Sequence, residues 1–187
     1  MQTAPKKVIN GWAMYDWANS VYNLVITTTF FPIYYTEMTK GEPFNGMVPF
    51  AGRHYVNTAL YNYALAAAYL IVAFTLPILT SIADARGSKK KYMQFFCYMG
   101  AISCSAMYFF TKEYFSFGII AMMMAAIGFY GSLVFYNSYL PDIAAVEDRD
   151  RISARGFSFG YIGSVIMQII GFLLVLFHKQ IPFLNNE

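Results

Sequence analysis

The chain has 187 residues, of which 58% are hydrophobic and 12% are charged, and its formal net charge is +3. Soluble domains carry about 25% charged residues, so this composition excludes an ordinary soluble protein. The basic residues are explained by the loops between apolar segments, so we expect no nucleic-acid partner.

Five apolar segments, taken in chain order, predict five membrane-spanning helices. A helix rises about 1.5 Å per residue, so about 20 apolar residues cross the hydrocarbon core of a bilayer. Lipid cannot satisfy an open sheet edge, which favours helices. The sequence therefore predicts an all-α integral membrane protein with a single transmembrane domain over residues 1–187. Its predicted spans are residues 8–35, 55–83, 92–111, 114–141 and 156–177.

The distribution of lysine and arginine predicts how these spans are oriented. Nine of the thirteen basic residues fall in the segments on the side of the N-terminus, and four fall on the other side. Basic residues are enriched in cytoplasmic loops. We therefore expect a multi-pass protein with its N-terminus in the cytoplasm, with the lipid bilayer as a partner and the plasma (inner) membrane as its location.

The first predicted span contains a carboxylate, Asp16, in an otherwise apolar run. At helical spacing Asp16 shares one face with Asn19, Ser20, Asn23 and Thr27. Two interpretations stay open: the acid reaches interfacial water near the start of the helix, or the face lines an aqueous cavity. The second interpretation makes Asp16, Asn19 and Asn23 candidates for a substrate or proton site.

The fourth predicted span carries a second set of polar residues. Tyr130 and Asn137 are seven residues apart and share a helix face. Such a lining suits a small polar substrate that has an apolar part. A hydrogen-bonded contact between helices explains the same pattern, and Gln168 in the fifth span has the same two interpretations.

The sequence contains no convincing catalytic or metal-binding pattern. Residues 156–160 read GFSFG, a formal match to a nucleophile elbow, but that motif requires a preceding strand and a nearby histidine. His54 and His178 both fall at outer span ends, without metal-ligand spacing. Glycines and Ser164 recur in the fifth span at a spacing that favours close helix packing. We therefore predict no enzyme activity, no catalytic residue, no cofactor and no metal.

The loop between the second and third spans reads SIADARGSKKKYM, residues 81–93. One interpretation is a basic cytoplasmic loop that only sets topology. The loop also resembles the signature loop of the major facilitator superfamily, whose acid, glycine and second basic position match Asp84, Gly87 and Lys89. This resemblance implies a gating loop formed by Asp84, Arg86, Gly87 and Lys89, with Arg86, Lys89 or an arginine of residues 149–155 as the partner of Asp84.

Two further segments resemble one branch of that superfamily, the vacuole-effluxer-like branch of autophagy-related amino-acid effluxers. They are GWAMYDWANSVYN, residues 11–23, and LPDIAAVEDRDRISARG, residues 140–156, with its flanking stretches. The resemblance implies a secondary transporter of twelve helices in two halves that moves a small-molecule substrate by alternating access. Five spans then correspond to a truncated N-terminal half, whose partner is the missing C-terminal half. The alternative is a membrane helical bundle that does not transport and serves as an interaction or assembly module.

Overall fold

The computed structural model describes residues 2–177 and residue 180, so His178 and Lys179 lie outside the described residues. Most of the described chain is helical. A π-helical segment, Tyr22–Phe30, joins the first two α-helices, and two strands form a hairpin before the third. The elements are α1 (Lys6–Val21), α2 (Phe31–Lys40), β1 (Met47–Phe50), β2 (Arg53–Val56), α3 (Asn57–Ala85), α4 (Lys89–Ala106), α5 (Phe115–Ser138), α6 (Leu140–Ile143) and α7 (Arg149–Leu176).

Three helices of the described chain are long and apolar enough to cross a membrane, which makes this an all-α membrane protein by length and composition. They cover Asn57–Ala85, Phe115–Ile143 and Val146–Leu176. The other two predicted spans are also largely helical. The first is divided among α1, the π-helical segment and α2, and the third corresponds to α4, which ends at Ala106. The number of five spans stays a prediction.

The chain divides into two compact units, each described by itself. Unit 1 combines Met1–Pro32 with Leu140–Glu187, and unit 2 is Ile33–Tyr139. The prediction of a single transmembrane domain over residues 1–187 stays a prediction.

Unit 2 is built on α3, α4 and α5, with close contacts at glycines. A Cβ atom added to Gly128 of α5 would lie 2.5 Å from the Cα of Gly100 in α4. Gly131, one turn further along α5, faces the ring of Phe96 in the same way. The helices therefore approach backbone to backbone, and the core around them is apolar. Its buried members are Ala68, Leu76, Ala83, Phe96, Ala126, Ile127 and Phe135.

The connection between the first two predicted spans, which end and begin at residues 35 and 55, contains a β-hairpin. Strands β1 and β2 pair antiparallel, with Met47 opposite Val56 and Phe50 opposite Arg53. Ala51 and Gly52 have positive φ angles of 48° and 76°, as a two-residue hairpin turn requires. Strands of four residues are too short for alternation of apolar and polar residues to stand out in a sequence.

Unit 1 is built on α1 and α7. Helix α7 begins at Arg149, seven residues before the predicted span at residue 156. Charge marks where a span leaves the hydrocarbon, whereas a helix can continue into water, so the predicted boundary was a membrane limit and not a helix limit. The N-terminal arm packs beside the start of α7, because the hydroxyl of Thr3 donates a hydrogen bond to Asp148.

The π-helical segment interrupts the first predicted span and makes it irregular. The hydroxyls of Thr28 and Thr29 donate hydrogen bonds to the carbonyls of Asn23 and Leu24, each five residues earlier, at 2.7 and 2.9 Å. Extended π-helix is rare, and short π-helical turns occur often at functional sites. The segment changes the angular spacing of side chains, so α-helical periodicity does not describe residues 22–30.

Candidate functional site

Asp16 is buried between two helices of unit 1. Its side chain is only 3% exposed. The hydroxyl of Ser20, one turn along α1, donates a hydrogen bond of 2.9 Å to Oδ1 of the carboxylate. The acid is therefore withdrawn from the surface and held by a neighbouring polar group, although it lies on a helix that is mostly apolar.

Gly160 of α7 makes room for this carboxylate. A Cβ atom at Gly160 would lie 2.9 Å from Oδ2 of Asp16 and 2.8 Å from the hydroxyl of Ser20. The sequence analysis assigned Gly160 to helix packing and did not place it against the acid. The signal that could have paired them is a shared spacing: Asp16 and Ser20 are four residues apart, and so are Gly156 and Gly160.

The packing of α1 on α7 continues beyond this point with aromatic rings against glycines. Gly163 faces the indole of Trp17, and Gly171 faces the ring of Phe30 in the π-helical segment. Residue numbers rise together along both helices, so α1 and α7 run parallel. The prediction that small residues of the fifth span permit close helix packing is confirmed by these contacts.

The remaining polar residues of the first span are less uniform. Asn19 and Thr27 are half-buried, whereas Asn23 is exposed. The predicted polar face assumed regular α-helical spacing through Thr27, but the helix changes to π geometry at Tyr22. Asp16, Asn19 and Ser20 belong to the regular helix α1, and the assignment of Asn19 and Asn23 to a substrate or proton site stays a prediction.

Gln168 adds a polar group on α7, between the two glycines that contact Trp17 and Phe30. Its Oε1 atom is buried and accepts no hydrogen bond from the described part of the chain. The two interpretations of Gln168, cavity lining and helix contact, both remain open.

Tyr130 and Asn137 belong to unit 2, whereas Asp16 belongs to unit 1. The ring of Tyr130 packs edge to face on Tyr69 of α3, with ring centroids 5.1 Å apart. Asn137 is exposed near the end of α5. Tyr130 therefore forms a contact between α5 and α3. A role of Tyr130 and Asn137 in substrate binding stays a prediction.

The loop between α3 and α4 shows why Gly87 is needed. The amide of Gly87 donates to the carbonyl of Asp84, and the amide of Ser88 donates to the carbonyl of Ala83. This pair of hydrogen bonds is a Schellman motif, whose glycine has a positive φ. Gly87 has a φ of 60°. The glycine therefore ends α3 and turns the chain into α4.

Lys89 provides a partner for Asp84, whose carboxylate lies in the last turn of α3, where negative charge is unfavourable. The Lys89 ammonium lies 3.4 Å from the Asp84 carboxylate, and it donates a hydrogen bond of 3.3 Å to the carbonyl of Ser138. Lys89 thus connects the end of α3 to the last residue of α5. It is one of the partners predicted for Asp84; the role of Asp84, Arg86, Gly87 and Lys89 in gating stays a prediction.

The motif at residues 156–160 is not a nucleophile elbow, since all of these residues lie inside helix α7. Within the described residues, His, Cys, Asp and Glu form no group of three or more that could hold a metal ion. Cys97 and Cys104 are free thiols.

The three long apolar helices define a polytopic helical membrane protein by length and composition. The family model described as "Vacuole effluxer Atg22 like" matches residues 4–186. The chain therefore belongs to the Atg22-like vacuole effluxer family, whose members are transporters and not enzymes.

Curated relatives agree with this family. An uncharacterized MFS-type transporter, YxiO of Bacillus subtilis, is 38% identical over 167 residues, which is 89% of this chain and 37% of that protein. Autophagy-related protein 22 of Coccidioides immitis is 25% identical over 170 residues, which is 73% of this chain and 28% of that protein. The chain thus spans less than half the length of these relatives. No solved structure gives a significant match.

Proposed function

We propose that the chain is the N-terminal part of a secondary transporter of the plasma (inner) membrane. The chain itself crosses the membrane five times, and its N-terminus lies on the cytoplasmic side. Family membership supports this proposal, and the greater length of the relatives leaves room for a second half. With both native cysteines replaced, single cysteines at Lys90 and Lys40 test the topology. An impermeant reagent should label position 40 in intact cells and position 90 only after lysis; the reverse pattern contradicts this orientation.

The buried carboxylate of Asp16 is the observation that carries the transport proposal. Ionisable residues within membrane helices are costly and usually mark a substrate or proton pathway. Asp16 is held by Ser20 and enclosed by Gly160, so its position is fixed while one carboxylate edge faces the partner helix. The proposed role is to bind the amino group of a small solute, such as an amino acid, or to carry a proton during coupled transport.

The proposed mechanism is alternating access, in which two halves of the transporter move around a central site. Asn19 and Asn23 are proposed to extend the site of Asp16 along the first span. Tyr130 and Asn137 are further candidates for the same solute, on the basis of sequence. The loop of Asp84, Arg86, Gly87 and Lys89 is proposed to act as a latch, a role that the ion pair between Asp84 and Lys89 supports.

Asp16→Asn in the full-length transporter tests this function, since it keeps the size of the side chain and removes its charge. A screen of amino acids in liposomes, with and without an imposed pH gradient, measures uptake and exchange. Loss of a hydrogen bond to a charged group corresponds to an affinity about tenfold weaker or more. A substrate-binding role predicts that loss of affinity; a proton-carrying role predicts loss of gradient-driven accumulation with exchange retained.

Asp150→Asn is the matched control. It makes the same chemical change as Asp16→Asn, but at an exposed residue of α7 in the same unit. The control should transport like the unmodified protein. If Asp16→Asn keeps both affinity and accumulation, the carboxylate only stabilises the contact of α1 with α7, and the site assignment is wrong. If the unmodified protein moves none of the solutes in the screen, the alternative of an assembly module gains support.

A further inference from the structure

A cavity of about 610 Å³ lies beside the loop that joins α3 and α4 in unit 2. This volume is within the range of about 300–1,000 Å³ that is typical of ligand pockets. The wall combines two cations with an apolar floor. Its lining residues are Leu79, Arg86, Ser88, Lys91, Tyr92, Phe95 and Phe96.

The cations of this loop have different roles. Lys89 is directed to Asp84 and to the carbonyl of Ser138, so it is already used within the protein. Arg86 and Lys91 line the cavity, both are exposed, and neither takes part in an ion pair among residues 2–177 and 180. The cavity wall therefore carries two positive charges that form no ion pair with an acid of the described chain.

A hydroxyl group also lines the cavity, that of Ser88. Ser88 stands at the N-cap of α4, and its side chain makes no capping hydrogen bond to the helix. Lysines occupy the first turn of α4 and no acid does, although positive charge is unfavourable at a helix N-terminus. An anionic group in the cavity would receive the hydroxyl as a donor and would offset this repulsion.

The other half of the cavity is apolar and leads onto the surface of α4. Phe96 is buried at the wall, whereas Phe95 is 60% exposed. Tyr98 and Ile102 follow Phe95 on the same helix face and are also exposed. An apolar track thus starts at the cavity wall with Phe95 and runs along the helix for about two turns.

We propose that this cavity binds an anionic phospholipid, with its phosphate at Arg86, Ser88 and Lys91 and an acyl chain along Phe95, Tyr98 and Ile102. Basic pockets between membrane helices bind the headgroups of anionic lipids elsewhere. A free phosphate would use the cations but not the track, and a neutral apolar ligand would use the track but not the cations. The combination of both features favours a lipid that carries negative charge. This proposal does not depend on the transported solute.

Native mass spectrometry of the purified full-length protein in detergent tests the proposal with two lipids that share acyl chains. Dioleoylphosphatidylglycerol should bind more tightly than dioleoylphosphatidylcholine, and the difference should shrink at high salt. Arg86→Gln combined with Lys91→Gln should weaken phosphatidylglycerol binding by about 30-fold, as expected for the loss of two cations near a lipid surface.

Two further variants make the result specific. Lys40→Gln combined with Arg53→Gln removes the same charge from exposed residues outside the cavity, and this control should bind phosphatidylglycerol like the unmodified protein. Phe95→Ala should weaken the lipid several-fold through its acyl chain. Equal weakening by both charge variants contradicts the proposal, because it indicates attraction by net charge alone. Displacement of the lipid by equimolar inorganic phosphate, with no effect of Phe95→Ala, also overturns it in favour of a phosphate site.

Discussion

The two units of this chain both use glycine to bring helices together, but they place different groups against it. In unit 2, Gly128 meets the backbone of Gly100 and Gly131 meets the ring of Phe96. In unit 1, Gly163 meets the ring of Trp17, while Gly160 meets the carboxylate of Asp16. The same packing device thus encloses apolar groups in one unit and an ionisable group in the other.

Two buried polar residues of unit 2, Ser132 and Asn57, are neutral and donate hydrogen bonds within the unit. The hydroxyl of Ser132 donates to the carbonyl of Phe129, and the amide of Asn57 donates to the hydroxyl of Thr39. Among the described residues that are buried, Asp16 is the one with a carboxylic acid side chain. Neutral polar side chains that are hydrogen-bonded are common between membrane helices. An acidic side chain is costly to bury there and is usually functional. This difference is the reason for proposing the solute or proton site in unit 1 rather than in unit 2.

The largest effect is expected from Gly128→Ala, because the new Cβ would lie 2.5 Å from Gly100 and 2.8 Å from the carbonyl of Phe96. Both neighbours are backbone atoms, which cannot move without shifting a helix. We expect a loss of about 3 kcal/mol in the free energy of unfolding, at the upper end of overpacking costs. Thermal or denaturant unfolding in detergent measures it.

Gly100→Ala tests the same contact from the other side. Its Cβ would lie 3.4 Å from the nearest backbone atom of Gly128, which is a tight but tolerable distance. Alanine also favours helix over glycine by up to about 1 kcal/mol, so this variant should be close to neutral. If Gly128→Ala and Gly100→Ala are equally destabilised, the prediction is wrong, because it requires more space beside Gly100 than beside Gly128.

A smaller change in stability is expected from Gly160→Ala, together with a larger change in transport. The added Cβ meets Oδ2 of Asp16 at 2.9 Å, and a carboxylate can rotate away from it. We expect less than about 1 kcal/mol of destabilisation, since side-chain ends relax more easily than backbone. A displacement of the acid should lower transport about tenfold in liposome assays if Asp16 contacts the solute or the proton.

Gly11→Ala is the control for this variant, because no atom lies within 4 Å of its added Cβ on α1. It should leave transport unchanged. Normal transport by Gly160→Ala, with a stability like that of the unmodified protein, would mean that the carboxylate position is not important for function.

Much of the fold follows from the sequence, and the exceptions have physical reasons. The charge-free stretches locate α3, α5 and α7, because a long apolar run has few alternatives to a membrane helix. The π-helical segment was not predicted, since the apolar residues and threonines of Tyr22–Phe30 also occur in regular helices. The hairpin was missed because its strands have only four residues each.

The candidate site was predicted only in part for a related reason. A sequence shows that Asp16 is unusual, since a charge in an apolar run is visible without any structure. It does not show that Gly160 encloses the acid, because this pairing depends on which helices are neighbours and in which direction they run. The cavity beside Arg86 and Lys91 was likewise hidden, since the sequence showed a basic loop but not the space between two helices.

The smallest effect concerns the loop of unit 2, where the comparison can be sharpened with two adjacent lysines. The Lys89 side chain is 21% exposed, pairs with Asp84 and donates a hydrogen bond to the carbonyl of Ser138. Lys90, in the same first turn of α4, is exposed. A partly exposed ion pair is worth up to about 1 kcal/mol. Because the Asp84 carboxylate is 59% exposed, Lys89→Gln should lower the free energy of unfolding by only about 0.5 kcal/mol, and Lys90→Gln should change it by much less.

The same two variants separate stability from gating, because both remove one positive charge from the same loop. If the link between Asp84, Lys89 and Ser138 is a latch, Lys89→Gln should change the transport rate in liposomes while the amount of inserted protein stays constant. Lys90→Gln should leave that rate unchanged. Equal transport by the two variants, together with equal unfolding temperatures, would contradict the latch. Lys89 would then only contribute to membrane topology, and this loop of unit 2 would have no role in gating.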